Sequence, residues 1–323
     1  MPTSELARFY SHGALLAATL SLPDGASAVD RVPVVVQGPG WLGLRDAKLY
    51  QPYHEALVAA GIAVFAFDYR GFGDSEGDAS YLDPRLQVED YVSAATYLET
   101  RPEVDPRRIG AFGSGGTGGG NAVMAAALDP RFKAMVSQVP VADGRDWLRR
   151  MRREHEWLEF LEELRLDRLE RATTGKGAMV APRDGIMVRT PERKVTQVKS
   201  DVDHRIPELV ALASAEAIFE YRPIDVVDRI APRASMFICV ENDWTTPEDH
   251  SYALYEKAGT PKRLVVQTGT THYGAYAQYR HVVTPMIVDW FQRYLVAGDI
   301  AVHESDGEAS IRYVDGTSAT LAP

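Results

Sequence analysis

The chain has 323 residues, 45% of them hydrophobic and 25% charged, and carries a net charge of −10. That length suits one large domain or one domain with an inserted lobe, and the composition is ordinary for a globular protein. The acid excess argues against a nucleic-acid or anionic-membrane surface, which rewards Lys and Arg, and the lone cysteine, Cys239, cannot staple the fold. No C-x-x-C or Cys/His cluster suggests zinc.

Residues 1–5 build no apolar signal core, and no stretch of 18 apolar residues without a charge occurs, so a cytoplasmic protein without a membrane span is expected. Residues 6–22 alternate around Phe9 and Leu15–Leu20 with a Ser11-His12-Gly13 turn, which predicts an antiparallel hairpin with His12 as a turn residue. Residues 32–36 are β-branched and suit a strand covered on both faces, as in a parallel sheet. A glycine-rich turn, Q-G-P-G-W-L-G-L-R-D at 37–46, follows. Residues 53–60 predict a helix stopped by Gly61, residues 62–67 a buried strand, and residues 88–98 a helix with Val92, Ala95 and Leu98 on one side.

The stretch R-I-G-A-F-G-S-G-G-T-G-G-G-N at 108–121 runs from an apolar strand through a glycine-dense bend into an alanine-rich helix. That is the context in which a nucleophile is lifted above a sheet, beside a helix N-terminus able to stabilise negative charge. Beyond it, residues 134–141 predict another strand. Residues 145–171 are dense in charge of both signs, with Trp147, Met151, Leu158, Leu161 and Leu169 spaced to keep one side apolar. Residues 172–206 lack periodicity and residues 207–221 predict a helix. The strand-helix rhythm resumes with a buried strand at 235–240 and another at 263–267. Asp243 follows the first and His272 the second, ahead of a helix at 285–295. His250 and His281 are expected on exposed helix surfaces, and Asp249 in a first helical turn, where an acid complements the dipole. The polar tail after Gly298 suggests an edge hairpin around Asp306-Gly307.

Taken together these motifs resemble the α/β-hydrolases, in the branch like dienelactone hydrolase and X-Pro dipeptidyl-peptidase. The motif D-Y-R-G-F-G-D-S-E-G at 68–77 is similar to a family signature whose role is structural, so no catalytic part falls to Arg70 or Asp74. The resemblance implies a mostly parallel sheet with helices on both faces and a helical cap. Its boundaries would be residues 1–142 for the first part of the core, 143–230 for the cap, 231–298 for the second part and 299–323 for a tail. The order elbow, acid, histidine is that of this fold. The family position of the triad acid falls on Asp243 and that of the base on His272, and the turn at 37–46 places Trp41 as a backbone oxyanion donor.

The resemblance departs at the nucleophile. In register with Arg108, Gly110 and Gly113, the family nucleophile would stand at Gly115. Three alternatives follow: a one-residue shift presents Ser114, with Gly115 as the second oxyanion donor; Thr117, in a complete G-x-T-x-G, serves; or the bend carries no nucleophile. The first two predict hydrolysis of an ester, lactone or related acyl bond of a small molecule, with neither a metal nor a cofactor expected. The third leaves a His272–Asp243 base for a lyase, a decarboxylase or a water-adding enzyme, and a non-catalytic binder is the remaining class. Oligomeric state is left open, a homo-oligomer included.

Overall fold

The computed structural model describes residues 2–196, 203–296, 301–305, 308–312 and 318–321. The leading hairpin pairs β1 (Thr3–Ser11) with β2 (Ala14–Leu22) through a turn in which His12 takes a positive φ. β2 then adds antiparallel to β4 (Ala63–Phe67). From β4 onward the sheet is parallel: β4, β3 (Val32–Gly38), β5 (Val104–Gly116), β6 (Phe132–Pro140), β9 (Ala234–Val240) and β10 (Lys262–Gln267) lie side by side in that order.

Helices cover both faces, and the period-two alternation of the strands shows how. Val34 and Val36 pack with α2 (Pro84–Leu98) and α3 (Thr117–Leu128), while Val35, between them, packs with α1 (Gln51–Ala59) and α10 (Arg280–Phe291). Removing either layer would expose one apolar face of every central strand, at roughly 1.5–3 kcal/mol for each large side chain. Cys239 is buried in β9, and burial pushes its thiol up to about 12, so it is an inert core residue.

The 68–77 signature is a structural knot. Buried Asp68 accepts the Arg45 backbone N–H at 2.8 Å and pairs with the Arg45 guanidinium, which also reaches Asp74 at 2.8 Å. Arg70 makes a two-pronged contact with buried Asp90, at 2.9 and 2.7 Å. Each charge is paired, as burial requires.

Between β6 and β9 the chain leaves the sheet for α4 (Gly144–Arg150), α5 (Glu154–Thr174), β7 (Met179–Val180), α6 (Pro191–Val195), β8 (Val210–Ala211) and α7 (Ser214–Phe219). The charge-dense stretch over 145–171 therefore forms two helices. Asp143 caps the first, and Arg153 opens the second, its N–H donating to Glu156. The break rotates the apolar side, so Trp157, Phe160 and Leu164 are buried whereas Leu158 and Leu169 are exposed. The helix expected over 207–221 is shortened because Val210–Ala211 pairs with Met179–Val180. In the tail, β11 (Ala301–Ser305), β12 (Glu308–Arg312) and β13 (Ser318–Leu321) form a separate antiparallel sheet, where a hairpin on the edge was expected; Asp306-Gly307 falls outside the described residues.

Candidate active site

β5 does not end at Gly113. It stays paired with β6 through Ser114↔Gln138 and Gly116↔Pro140 before α3 begins at Thr117. Gly115 and Gly116 both lie in the left-handed region, with φ of 84° and 62°, a pair of conformations glycine adopts at little cost. A Cβ on Gly115 would stand 3.3 Å from Gly40 Cα and 3.7 Å from Tyr276 Oη; on Gly116 its nearest neighbours, in Trp147 and Trp41, would be 3.9 Å away. The tip of the bend is thus bare backbone, crowded by Gly40 at Gly115 and with ordinary van der Waals room at Gly116. Gly40 lets the 37–46 turn press against it, since a Cβ there would sit 2.6 Å from the Ser114 carbonyl oxygen.

Because pairing persists through the bend, Ser114 is not presented at its tip. Its side chain is fully buried, donating to Gln138 Oε1 at 3.3 Å and lying 2.6 Å from Tyr276 Oη; no hydrogen bond joins it to His272 among the described residues. Thr117 is buried in the first turn of α3 and does not line the cavity beside His272. The Trp41 N–H, expected to await an oxyanion, donates instead to the Gly115 carbonyl at 3.0 Å, within a bend where Gly115 and Gly116 both take positive φ. Gly115, expected as a second donor, is itself the tip.

The histidine side is complete. Asp243, on the loop after β9, receives the Thr245 and Thr246 N–H groups on Oδ1 at 2.7 and 3.0 Å, which aims Oδ2 at His272. The His272 Nδ1–H donates to that oxygen at 2.7 Å, so the ring tautomer is set and Nε2 is the nitrogen left for chemistry. Burial alone would push the His272 pKa down. Asp243, by charge and by hydrogen bond, and Glu192, by charge, outweigh burial and the opposing charge of Arg183, so it lies above its ordinary value. Tyr273 and Tyr276 pack edge-on against the ring, with centroids 4.9 and 6.2 Å away.

His272, Gly115, Gly116, Trp41 and Tyr276 line one cavity of about 90 Å³. The chain between β6 and β9 reaches into its lining with Trp147, Arg183 and Met187. Trp147 stacks edge-on with Trp41 and donates its indole N–H to the Thr245 carbonyl at 2.8 Å, tying α4 to the Asp243 loop. In α6, Glu192 accepts the Tyr273 N–H at 3.1 Å.

Other residues singled out in the sequence fall elsewhere. Asp249 pairs with Arg150 at 2.7 Å in the first turn of α8 (Glu248–Lys257). His250 is not an exposed helical histidine: it is buried, accepting the Ala142 N–H on Nδ1 at 3.1 Å while Nε2–H donates to Asp146 at 2.9 Å. His12 is exposed near Glu89, and His281 is exposed on α10. Sequence reasoning missed Tyr276, Trp147 and Arg183 as cavity residues; Tyr276 alone carried a signal, in the H-Y-x-x-Y spacing. Among the described residues no cluster of His, Cys, Asp or Glu could hold a metal, and no helix is long and apolar enough to cross a membrane.

Residues 12–274 match the family model of X-Pro dipeptidyl-peptidase, family S15. An uncharacterized 31.7 kDa Escherichia coli protein from the traX-finO intergenic region is 28% identical over 285 residues, 87% of this chain and 96% of that protein. The thiohydrolase apmlB of Arthrinium phaeospermum is 38% identical over 115 residues, covering 35% of this chain and 37% of that one. Among solved structures, the α/β hydrolase GrgF from Penicillium superposes with a TM-score of 0.75 at 21% identity, over 91% of this chain and 99% of that one. With the order of strands and the Asp243–His272 pair, these matches make the chain an α/β-hydrolase belonging to the X-Pro dipeptidyl-peptidase (S15) family.

Proposed function

We propose that this hydrolase cleaves an ester, thioester or lactone bond of a small acyl substrate by direct attack of water, with His272 as general base and no acyl-enzyme. The observation that carries the reading is the bare bend: Gly115 and Gly116 share the cavity with His272 but offer no side chain, while the Ser114 hydroxyl is held by Gln138 and Tyr276. A water in the space above Gly115 would have His272 Nε2 and Tyr276 Oη as polar neighbours, the minimum an ordered water needs.

In the proposed step the water oxygen bonds to the acyl carbon and its proton passes to His272 Nε2. The carbonyl electron pair moves onto oxygen, and the tetrahedral intermediate collapses as the leaving alcohol or thiol takes the proton back. Asp243 keeps Nδ1 protonated and stabilises the imidazolium. The oxyanion would meet the N-terminal end of α3 and the Trp41 N–H, once the substrate carbonyl competes for the donor now given to Gly115. The chain between β6 and β9 serves as the cap, and the protein is taken as a cytoplasmic enzyme acting on a small molecule. The name of the relative apmlB, a thiohydrolase, is in keeping with an acyl bond as the target.

Hydrolysis of 4-nitrophenyl butyrate and of butyryl-coenzyme A, together with fluorophosphonate labelling followed by peptide mass spectrometry, tests this. Turnover without any protein adduct, lost in His272→Ala, is the expected result. An adduct on Ser114 or Thr117, or turnover that survives His272→Ala, would overturn it.

A further inference from the structure

A second cavity, of about 480 Å³, adjoins the first and shares Leu42 and Arg183 with it. Among the described residues its charged lining is Arg183, Arg189, Arg193 and Lys194, with Glu208 as the acid. In a chain of net charge −10, four cations around one cavity run against the field of the whole molecule. Arg193 and Arg189 are held in place by their neighbours, and Lys194 is exposed. Arg193 is buried, its guanidinium donating to the Thr196 carbonyl at 2.7 Å and lying 5.9 Å from the centre of the Tyr273 ring, so it is tied to the residue after His272. Arg189 is half-exposed and braced by Asp184 at 2.9 Å. A third cavity, of about 430 Å³, also touches His272 and has the opposite character, with Glu192, Glu241 and Asp243 in its lining. The cavity at His272 thus adjoins a cationic chamber through Leu42 and Arg183, while the acidic one touches His272 itself.

From this polarity we infer that the substrate is an acyl compound bearing an anionic group, a carboxylate or a phosphate, which the chamber of Arg183, Arg189, Arg193 and Lys194 holds while the acyl carbon lies at His272. Guanidinium and ammonium groups recognise both anions through charge-assisted hydrogen bonds, and neither would be drawn to the acidic side. The inference rests on the hydrolytic reading for the position of the acyl carbon, and on the chamber alone for the anion.

The test compares 4-nitrophenyl butyrate, mono-4-nitrophenyl glutarate and butyryl-coenzyme A as neutral, carboxylate-bearing and phosphate-bearing probes, in the natural chain and in Lys194→Glu and Arg189→Ala. At least one anionic probe should show kcat/KM about 10-fold or more above the neutral ester, and the preference should shrink at about 0.5 M salt. Lys194→Glu should raise KM for the preferred anionic probe by about 10-fold and leave the neutral ester unchanged. The probe that responds tells carboxylate from phosphate. Equal rates for all three, or a variant that slows all three alike, would overturn the inference. Calorimetric titration of glutarate and of coenzyme A into His272→Ala separates it from the hydrolytic reading. Binding that Lys194→Glu abolishes, in a protein that turns over no ester, supports the chamber while the hydrolytic reading fails. Turnover of the neutral ester without anion binding has the opposite meaning.

Discussion

On one wall of the cavity, Asp243 and His272 stand 2.7 Å apart, with two backbone N–H groups aiming the carboxylate; on another, the bend between β5 and α3 presents two glycines and no functional group. Both walls come from the same kind of place, a loop leaving the carboxyl end of a parallel strand. They differ in what they can lose. A proton-transfer pair works only if both side chains are present, whereas the bend contributes shape and dipole, which backbone alone supplies. On the proposed reading a base is useful beside a bend without a nucleophile, provided that water occupies the space above it.

The largest effect should come from breaking the intact wall. Asp243→Asn leaves the shape but favours the wrong tautomer of His272, and kcat is expected to fall by about 10³–10⁴-fold. The pH profile checks the cause. His272 acts as a base only when neutral, and its pKa is raised, so kcat/KM should fall as pH drops through a value above the ordinary one of about 6.5. In Asp243→Asn that inflection should move to lower pH. The sign for stability is opposite: the charged pair stabilises the fold below the unfolded-state pKa of His272 and is lost as pH rises through the folded one. A stability curve with the same slope as the activity curve would contradict this assignment.

Completing the bare wall should have the next largest effect. Gly115→Ser places a hydroxyl where Tyr276 and His272 line the cavity, and fluorophosphonate labelling of the introduced serine is expected, with turnover rising by about 10²-fold. A side chain at φ of 84°, with its Cβ 3.3 Å from Gly40, should cost about 1–2 kcal/mol, readable as a lower urea midpoint. A stable variant that takes no label would show that the bend does not face the base.

The smallest effect is expected at Ser114, the nucleophile of the first alternative that the sequence offers. Ser114→Ala should change kcat by less than about 3-fold and lower stability by about 1 kcal/mol, the worth of its bonds to Tyr276 and Gln138. A loss of activity as large as that of Asp243→Asn would restore Ser114 as the nucleophile.

Much of this was legible from local pattern. The β-branched run at 32–36 and the apolar runs at 62–67 and 235–240 announce strands covered on both faces, and they are β3, β4 and β9. The 68–77 signature was read as structural, and its charges are bound in the Arg45–Asp68 and Arg70–Asp90 pairs. Where the pattern was weak, between residues 145 and 221, helix limits and buried faces came out differently. There a short pairing, Met179–Val180 with Val210–Ala211, and a cap at Arg153 override local propensity.

The sequence by itself determined the architecture and the loops that carry Asp243 and His272, because burial on two faces and a residue's position just after a strand leave marks within a few neighbours. Only the tertiary structure decided which residue stands at the tip of the bend. Side-chain direction there depends on how far β5 keeps its hydrogen bonds to β6, a contact between residues about 24 apart in the chain, and continued pairing through Gly116 turns Ser114 away from His272. The burial of His250 against Ala142 and Asp146, and the gathering of Arg183, Arg189, Arg193 and Lys194 around one cavity, likewise exist only once distant segments meet.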